Sequence, residues 1–124
     1  MTVHFIAIWE RDKNNNWYNL EELELIQNNI DGFGYVYVIW THSDIIKVLK
    51  VGQSIFSKKI EEYKNNPLIQ KYRESERINI TWAIFPENLL DGVVAYLDYK
   101  LNPSLNEKYP MDFLIPINLP VEVM

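Results

Sequence analysis

The chain contains no cysteine. Disulfide frameworks and thiolate metal sites are therefore excluded, and the composition suits a reducing compartment, with the cytoplasm the expected location. No apolar run approaches the ~18 residues that mark a membrane-spanning helix. The first residues include His4 and lack the basic segment and extended apolar stretch of a secretory signal. There are only two histidines, His4 and His42, and neither has metal-ligand partners at a recognisable spacing. His42 reads as a loop-surface residue. Basic side chains are the minority, twelve against seventeen acidic, and the net charge of −5 argues against indiscriminate nucleic-acid binding. No internal repeat, linker or domain boundary interrupts the chain.

What is present describes one globular domain over residues 1–124, with 48% hydrophobic and 23% charged side chains, ordinary values for a chain that builds a core. The charge is uneven. Residues 47–77 carry eight basic and four acidic side chains, while the flanking stretches are acidic. Such a run is most often a solvated helical face; the sharper reading is a surface that meets phosphate.

Hydrophobic periodicity places the elements. Val3 to Trp9 is apolar and β-rich and predicts a strand, and the asparagine-rich stretch from Arg11 to Asn16 predicts a loop. Asn19 is positioned to cap a helix from Leu20 to Gln27, with Glu21 and Glu22 in its first turn, where they suit the helix dipole. Gly34 to Trp40 alternates as a strand does, Thr41 to Asp44 is a polar break, and Ile45 to Val51 is apolar and β-branched again. Together they predict a hairpin that ends at Gly52. A helix is expected from Ser54 or Ser57 to about Asn65, and Asn66-Pro67 ends it, because the residue before proline disfavours helical backbone. Pro67 suits the first turn of a second helix over residues 68–75. Ile78, Ile80 and Trp82 alternate with Asn79, Thr81 and Ala83, which predicts a strand over 77–85. Leu90, Val93, Val94, Leu97 and Leu101 form the stripe of a helix over 89–101, stopped by Pro103. Pro110, Pro116 and Pro120 keep the tail extended, with a short edge strand at 113–117.

Five separated motifs carry a resemblance: Tyr37-Val38-Ile39-Trp40, Val51-Gly52-Gln53, Thr81-Trp82-Ala83, Asp91-Gly92 and Asn118-Leu119-Pro120, together with Tyr35-Val36-Tyr37 and Lys50-Val51-Gly52 on the two hairpin strands. In this order the chain resembles the GIY-YIG nuclease superfamily over residues 33–120, with residues 1–32 a strand and helix extension. The resemblance implies an α+β fold, a small three-stranded antiparallel sheet flanked by helices. It also implies a site that cleaves phosphodiesters with one divalent metal, using hairpin tyrosines, an arginine after the glycine, a helix glutamate that binds the metal, and a final asparagine.

Matched position by position, the first tyrosine is Tyr37, the second is replaced by Lys50, the arginine by Lys59, the glutamate by Val94, and the asparagine is Asn106. Valine offers no oxygen to a hard cation, and lysine keeps the charge of arginine without its planar fork. The remnant set Tyr37, Lys50, Lys59 and Asn106 is expected to face one shallow pocket. Lys50, Lys58, Lys59 and Lys64 are the candidate phosphate contacts.

The reading that follows is a catalytically inactive, GIY-YIG-like binding module without a cofactor, with DNA or RNA as the partner the resemblance suggests. One alternative is an active Mg²⁺-dependent endonuclease whose carboxylate has moved to Asp91 or Asp98. Against it, Asp91 reads as a dipole-suited residue at the helix start and Asp98 as solvated. A second alternative is a protein-interaction module of a mobile element or defence system, which the acidic net charge suits. Tyr35, Tyr37, Trp40, Tyr63 and Trp82 are expected to cluster, as core in the first instance and as a base-stacking wall in the sharper reading.

Overall fold

The structure, a computed structural model, describes residues 5–23, 31–42, 45–53, 61–73, 76–105 and 113–122. Among the described residues the elements follow one another as β1 (Tyr18–Asn19), β2 (Phe33–His42), β3 (Ile46–Gln53), α1 (Pro67–Arg73), β4 (Ile78–Pro86) and α2 (Leu90–Leu101). The fold is α+β, and the sheet is antiparallel throughout in the order β1-β4-β2-β3. It therefore has four strands where three were expected. The fourth is short, but it answers a physical need: the outer edge of β4 would otherwise leave its backbone groups unpaired. Tyr18 and Asn19 pair with Ile80 and Asn79. The flanking chain continues the cover, with Leu20 N donating to Ile78 O at 2.9 Å and Glu10 N to Trp82 O at 3.0 Å.

The hairpin forms as its alternation predicts and runs further. Thr41 and His42, expected as a polar break, extend β2, because Thr41 pairs with both Lys47 and Ile78 and His42 with Ile46. The register slips between Ile39 and Trp40, so Ile39 faces Lys50 while Trp40 faces Val48. This β-bulge leaves Leu49 as the extra residue.

β2 is central and buried on both sides. Val36, Val38 and Trp40, with Val48, Val51, Ala83 and Phe85, pack against Val93, Val94, Leu97 and Leu101 of α2. Tyr37, Ile39, Leu49, Ile78, Ile80 and Trp82 form the opposite layer with Leu20, Leu23 and Ile69 of α1. Strand alternation thus sorts residues between two cores rather than between core and water. Thr81 and Asn79, on the side of β4 that polar alternation would leave wet, are buried, and the Thr81 hydroxyl donates to Glu10 O at 2.7 Å.

Local chemistry sets the helix ends. Asn66 Oδ1 accepts from Leu68 N at 2.8 Å, capping α1 with Pro67 in its first turn. A 3₁₀ turn over Glu87–Leu89 leads into α2, and Asn102, in left-handed backbone at φ 47°, ends it before Pro103. The chain then lies along the outer edge of β3, where Ser104 N donates to Val48 O at 3.0 Å and Leu105 N to Leu49 O at 2.8 Å.

Among the described residues, the N-terminal strand and the tail strand expected from sequence reduce to one parallel bridge, Phe5 to Ile117. The Asn118 side chain takes the place of a ladder: Oδ1 accepts from Ala7 N at 2.6 Å and Nδ2 donates to Ala7 O at 3.0 Å. Of the helix expected from Leu20, the described part is a turn over 20–22, with Asn19 Oδ1 accepting from Glu21 N at 3.0 Å. The helix expected before Asn65 is seen over 61–64.

Leu97 is fully buried in the α2 layer. Leu97→Ala is expected to cost about 2–5 kcal/mol through lost burial and a residual cavity, against about 1 kcal/mol for the cap change Asn66→Ala. Urea midpoints at unchanged slope measure both.

Candidate functional site

The hairpin register brings Tyr37 opposite Gly52. The tyrosine ring lies across the glycine backbone so closely that a Cβ on Gly52 would stand 2.6 Å from Tyr37 Cζ and closer still to its hydroxyl. Gly52 is required here for space and not for its backbone conformation. The Tyr37 hydroxyl makes a short hydrogen bond with the Tyr63 hydroxyl, their rings tilted at 57° with centroids 5.6 Å apart. Burial first, then the Tyr63 bond and the charge of Glu62, push the Tyr37 phenol well above its ordinary pKa. It is therefore neutral at physiological pH and positions a proton rather than removing one.

Lys50 is half-buried and, opposite Ile39, shares the face of Tyr37. Lys64 is on the same side of the molecule but is already engaged: its Nζ donates to Leu23 O at 2.8 Å and pairs with Glu61 at 3.7 Å. It ties the 61–65 segment to the N-terminal turn, so its expected role as a free phosphate contact does not fit its surroundings. Lys58, Lys59 and Asn106 fall outside the described residues, as does His4. Lys47, not singled out from sequence, donates to the Tyr72 hydroxyl at 2.8 Å.

The residues on α2 lie elsewhere. Val94 belongs to the apolar layer on the other face of the sheet from Tyr37. Asp98, expected to be solvated, is 5% exposed, because four residues after Val94 and three before Leu101 it occupies the buried stripe. Asp91 is exposed at the helix start and accepts a short hydrogen bond from Gln53 Nε2, which ties the end of β3 to α2. Among the described residues no three histidines or carboxylates are grouped to hold a metal ion. The aromatic cluster also divides. Tyr35, Tyr37, Tyr63 and Trp82 share one layer, whereas Trp40 points to the other and meets Trp17 edge-to-face.

One feature had no sequence signal. At the end of the sheet where β2 turns into β3, Trp17, Trp40, His42, Arg77 and Asn79 line a cleft of about 410 Å³. Its residues come from separate segments, so no local pattern announces it.

No family model, no curated protein and no solved structure matches the chain.

Gly52→Ala is expected to destabilise the fold by about 1–3 kcal/mol, since the ring of Tyr37 must move. Tyr37→Phe keeps the packing and should cost about 1 kcal/mol, the net value of a hydrogen bond. Because the folded pKa of Tyr37 is raised, its contribution is intact below the unfolded value of about 10 and is lost as pH climbs above it. Ultraviolet titration should show one tyrosine ionising only as the protein unfolds, and Tyr37→Phe should lose that step.

Proposed function

We propose that the domain is a GIY-YIG-like unit that binds nucleic acid and does not cut it. The observation that carries this reading is the position of Val94, an apolar side chain 4% exposed in a packed layer, on the other side of the sheet from Tyr37. A carboxylate at that position would be buried among valines and leucines, at a cost that ordinarily neutralises it. The residues present there offer no oxygen ligand and do not fit a divalent metal. The resemblance in the hairpin is supported by the register that sets Tyr37 over Gly52, where the family's two signature tripeptides would meet.

A binding role uses what remains. Lys50 stands on the Tyr37 face, and the 47–77 stretch holds eight of the twelve basic side chains. Binding through such a stretch in a protein of net charge −5 is short-ranged, since the rest of the molecule repels a polyanion beyond about a Debye length. No helix of the described residues is long and apolar enough to cross a membrane. The relocated-carboxylate nuclease keeps one specific point in its favour, the burial of Asp98 on the Val94 side of α2. The acidic net charge favours a protein partner.

The expected outcome is weak duplex or single-strand binding at low salt, with a log–log salt slope of about −0.9 for each duplex phosphate contacted. Lys50→Ala should flatten the slope by about one contact. Duplex incubated with the protein and Mg²⁺ should stay intact. Cleavage abolished by Asp91→Asn or Asp98→Asn would establish the nuclease instead, and no binding at any salt would favour the protein partner.

A further inference from the structure

We infer that the Asp31-Gly32 turn is a site of spontaneous backbone modification in the folded protein. It isomerises to an isoaspartyl linkage, the substrate of an S-adenosylmethionine-dependent isoaspartyl methyltransferase. The inference uses none of the residues on which the nucleic-acid reading rests and stands independently of it.

The chain has two Asp-Gly pairs, Asp31-Gly32 and Asp91-Gly92. In such a pair the main-chain nitrogen reaches the aspartate side chain most easily, because glycine has no Cβ to obstruct the approach and restricts its backbone least. The glycine nitrogen attacks aspartate Cγ. A C–N bond forms, and the proton of the nitrogen leaves with the carboxyl OH as water. The product is a five-membered succinimide. Water then opens the ring. Addition at Cγ restores aspartate. Addition at the main-chain carbonyl breaks the original peptide bond and leaves the chain running through Cβ and Cγ. One water is lost and one gained, so mass is unchanged and no oxidant or reductant is needed.

The structure treats the two pairs differently. Asp31 and Gly32 are both exposed, in a turn ahead of β2. Gly32 has φ 82°, left-handed backbone that glycine adopts freely, and nothing lies within 4 Å of the position a Cβ would take. Among the described residues the Asp31 carboxylate has no hydrogen bond or ion pair, and the Gly32 N–H has no acceptor. Both reacting groups are therefore free to meet. The turn is tethered on its far side, where Gly32 O accepts from Glu87 N at 2.9 Å and Phe33 pairs with Pro86.

Asp91-Gly92 is closed to the same reaction. It lies in α2, and helical torsions at Asp91 hold the next nitrogen out of the plane that the ring requires. The Asp91 carboxylate accepts from Gln53 Nε2. Gly92 is buried, its Cβ position stands 2.5 Å from Ile115 Cδ1 and 2.7 Å from Phe113 O, and its carbonyl accepts from Ile115 N at 3.0 Å. Ring closure there requires the helix start and the tail that crosses it to come apart.

The product suits the fold. Isomerisation adds one main-chain carbon between Asp31 Cα and Gly32 N and turns the former Asp31 carbonyl into a free carboxylate. Every atom from Gly32 onward is kept, so the Glu87 bond and the pairing of β2 survive. The modified chain accumulates in the native state, and its new carboxylate belongs to an exposed residue that an enzyme can reach.

The test ages the full chain at neutral pH and physiological temperature, native and in guanidinium chloride. Isoaspartate is read as methyl transfer from labelled S-adenosylmethionine by purified isoaspartyl methyltransferase and is located by peptide mapping. In the native chain residue 31 should convert roughly tenfold faster than residue 91 or more, and in denaturant the two rates should come within roughly twofold of each other. Asp31→Glu, an exposed change that keeps the charge, should remove methyl acceptance from that peptide, because glutamate must close a six-membered ring. Asp91→Glu should leave it unchanged. Aged wild-type protein should keep the urea midpoint of fresh protein. The inference is overturned if residue 31 gains methyl acceptance in denaturant but not in the native chain, if residue 91 converts as fast as residue 31 in the native chain, or if Asp31→Glu leaves the acceptance in place.

Discussion

The constraint on which the structure depends is that β2 is apolar on both faces. A strand with Val36, Val38 and Trp40 on one side and Tyr37 and Ile39 on the other, all but closed to water, cannot sit at an edge or face solvent. The chain must supply a strand on each flank and a layer on each face. β3 and β4 supply the strands, α2 supplies one layer, and α1 with the N-terminal turn supplies the other. The outer edges of β3 and β4 are then covered by short pieces of backbone, residues 104–105 along β3 and the two-residue β1 with Leu20 along β4. Each of these is the cheapest way to satisfy groups that the central strand has forced out of water.

The same constraint decides which functional residues can meet. Parity on β2 sends Tyr37 to one layer and its neighbours Val36 and Val38 to the other, where α2 packs. A helix residue and a hairpin tyrosine are therefore held apart by the thickness of the sheet, whatever their identities. The Tyr37–Tyr63 hydroxyl pair and the Arg77 cleft are two separate pieces of polar chemistry, one in each layer. Neither is an accident of surface exposure, since Tyr37, Trp40 and Asn79 are all buried.

The elements whose information is local were legible in the sequence. The hairpin shows its period of two and α2 its stripe of Val93, Val94, Leu97 and Leu101, and both stand where the pattern places them. The Asn66-Pro67 boundary is equally local, an amide and a ring that act on the next turn. What was hidden is non-local. The apolar stretch at Val3 to Trp9 looks like a strand, but the backbone of its described part pairs only with Ile117, in a single bridge, and with the side chain of Asn118, and no periodicity reports a contact across 111 positions. The charge of Asp98 suggests water, whereas its spacing from Val94 and Leu101 assigns it to the core, where the structure places it. Of the candidate site, Tyr37 and Gly52 follow from pairing two recognisable strands, while the engagement of Lys64 with Leu23 depends on a turn the sequence does not mark.

The Asn118 clasp also bears on the order in which the molecule forms and opens. A contact closed across more than a hundred residues gains nothing until the sheet between its two ends has folded, since the loop entropy must be met first. The clasp therefore closes late and is a natural first step of local opening. When it lets go, Ala7 and Ile117 are uncovered on the α2 side while β2, β3 and β4 stay paired. Amides at the two ends of the described chain should then exchange as one cooperative unit, distinct from the central sheet, although they are as far apart in sequence as any two segments the fold brings together.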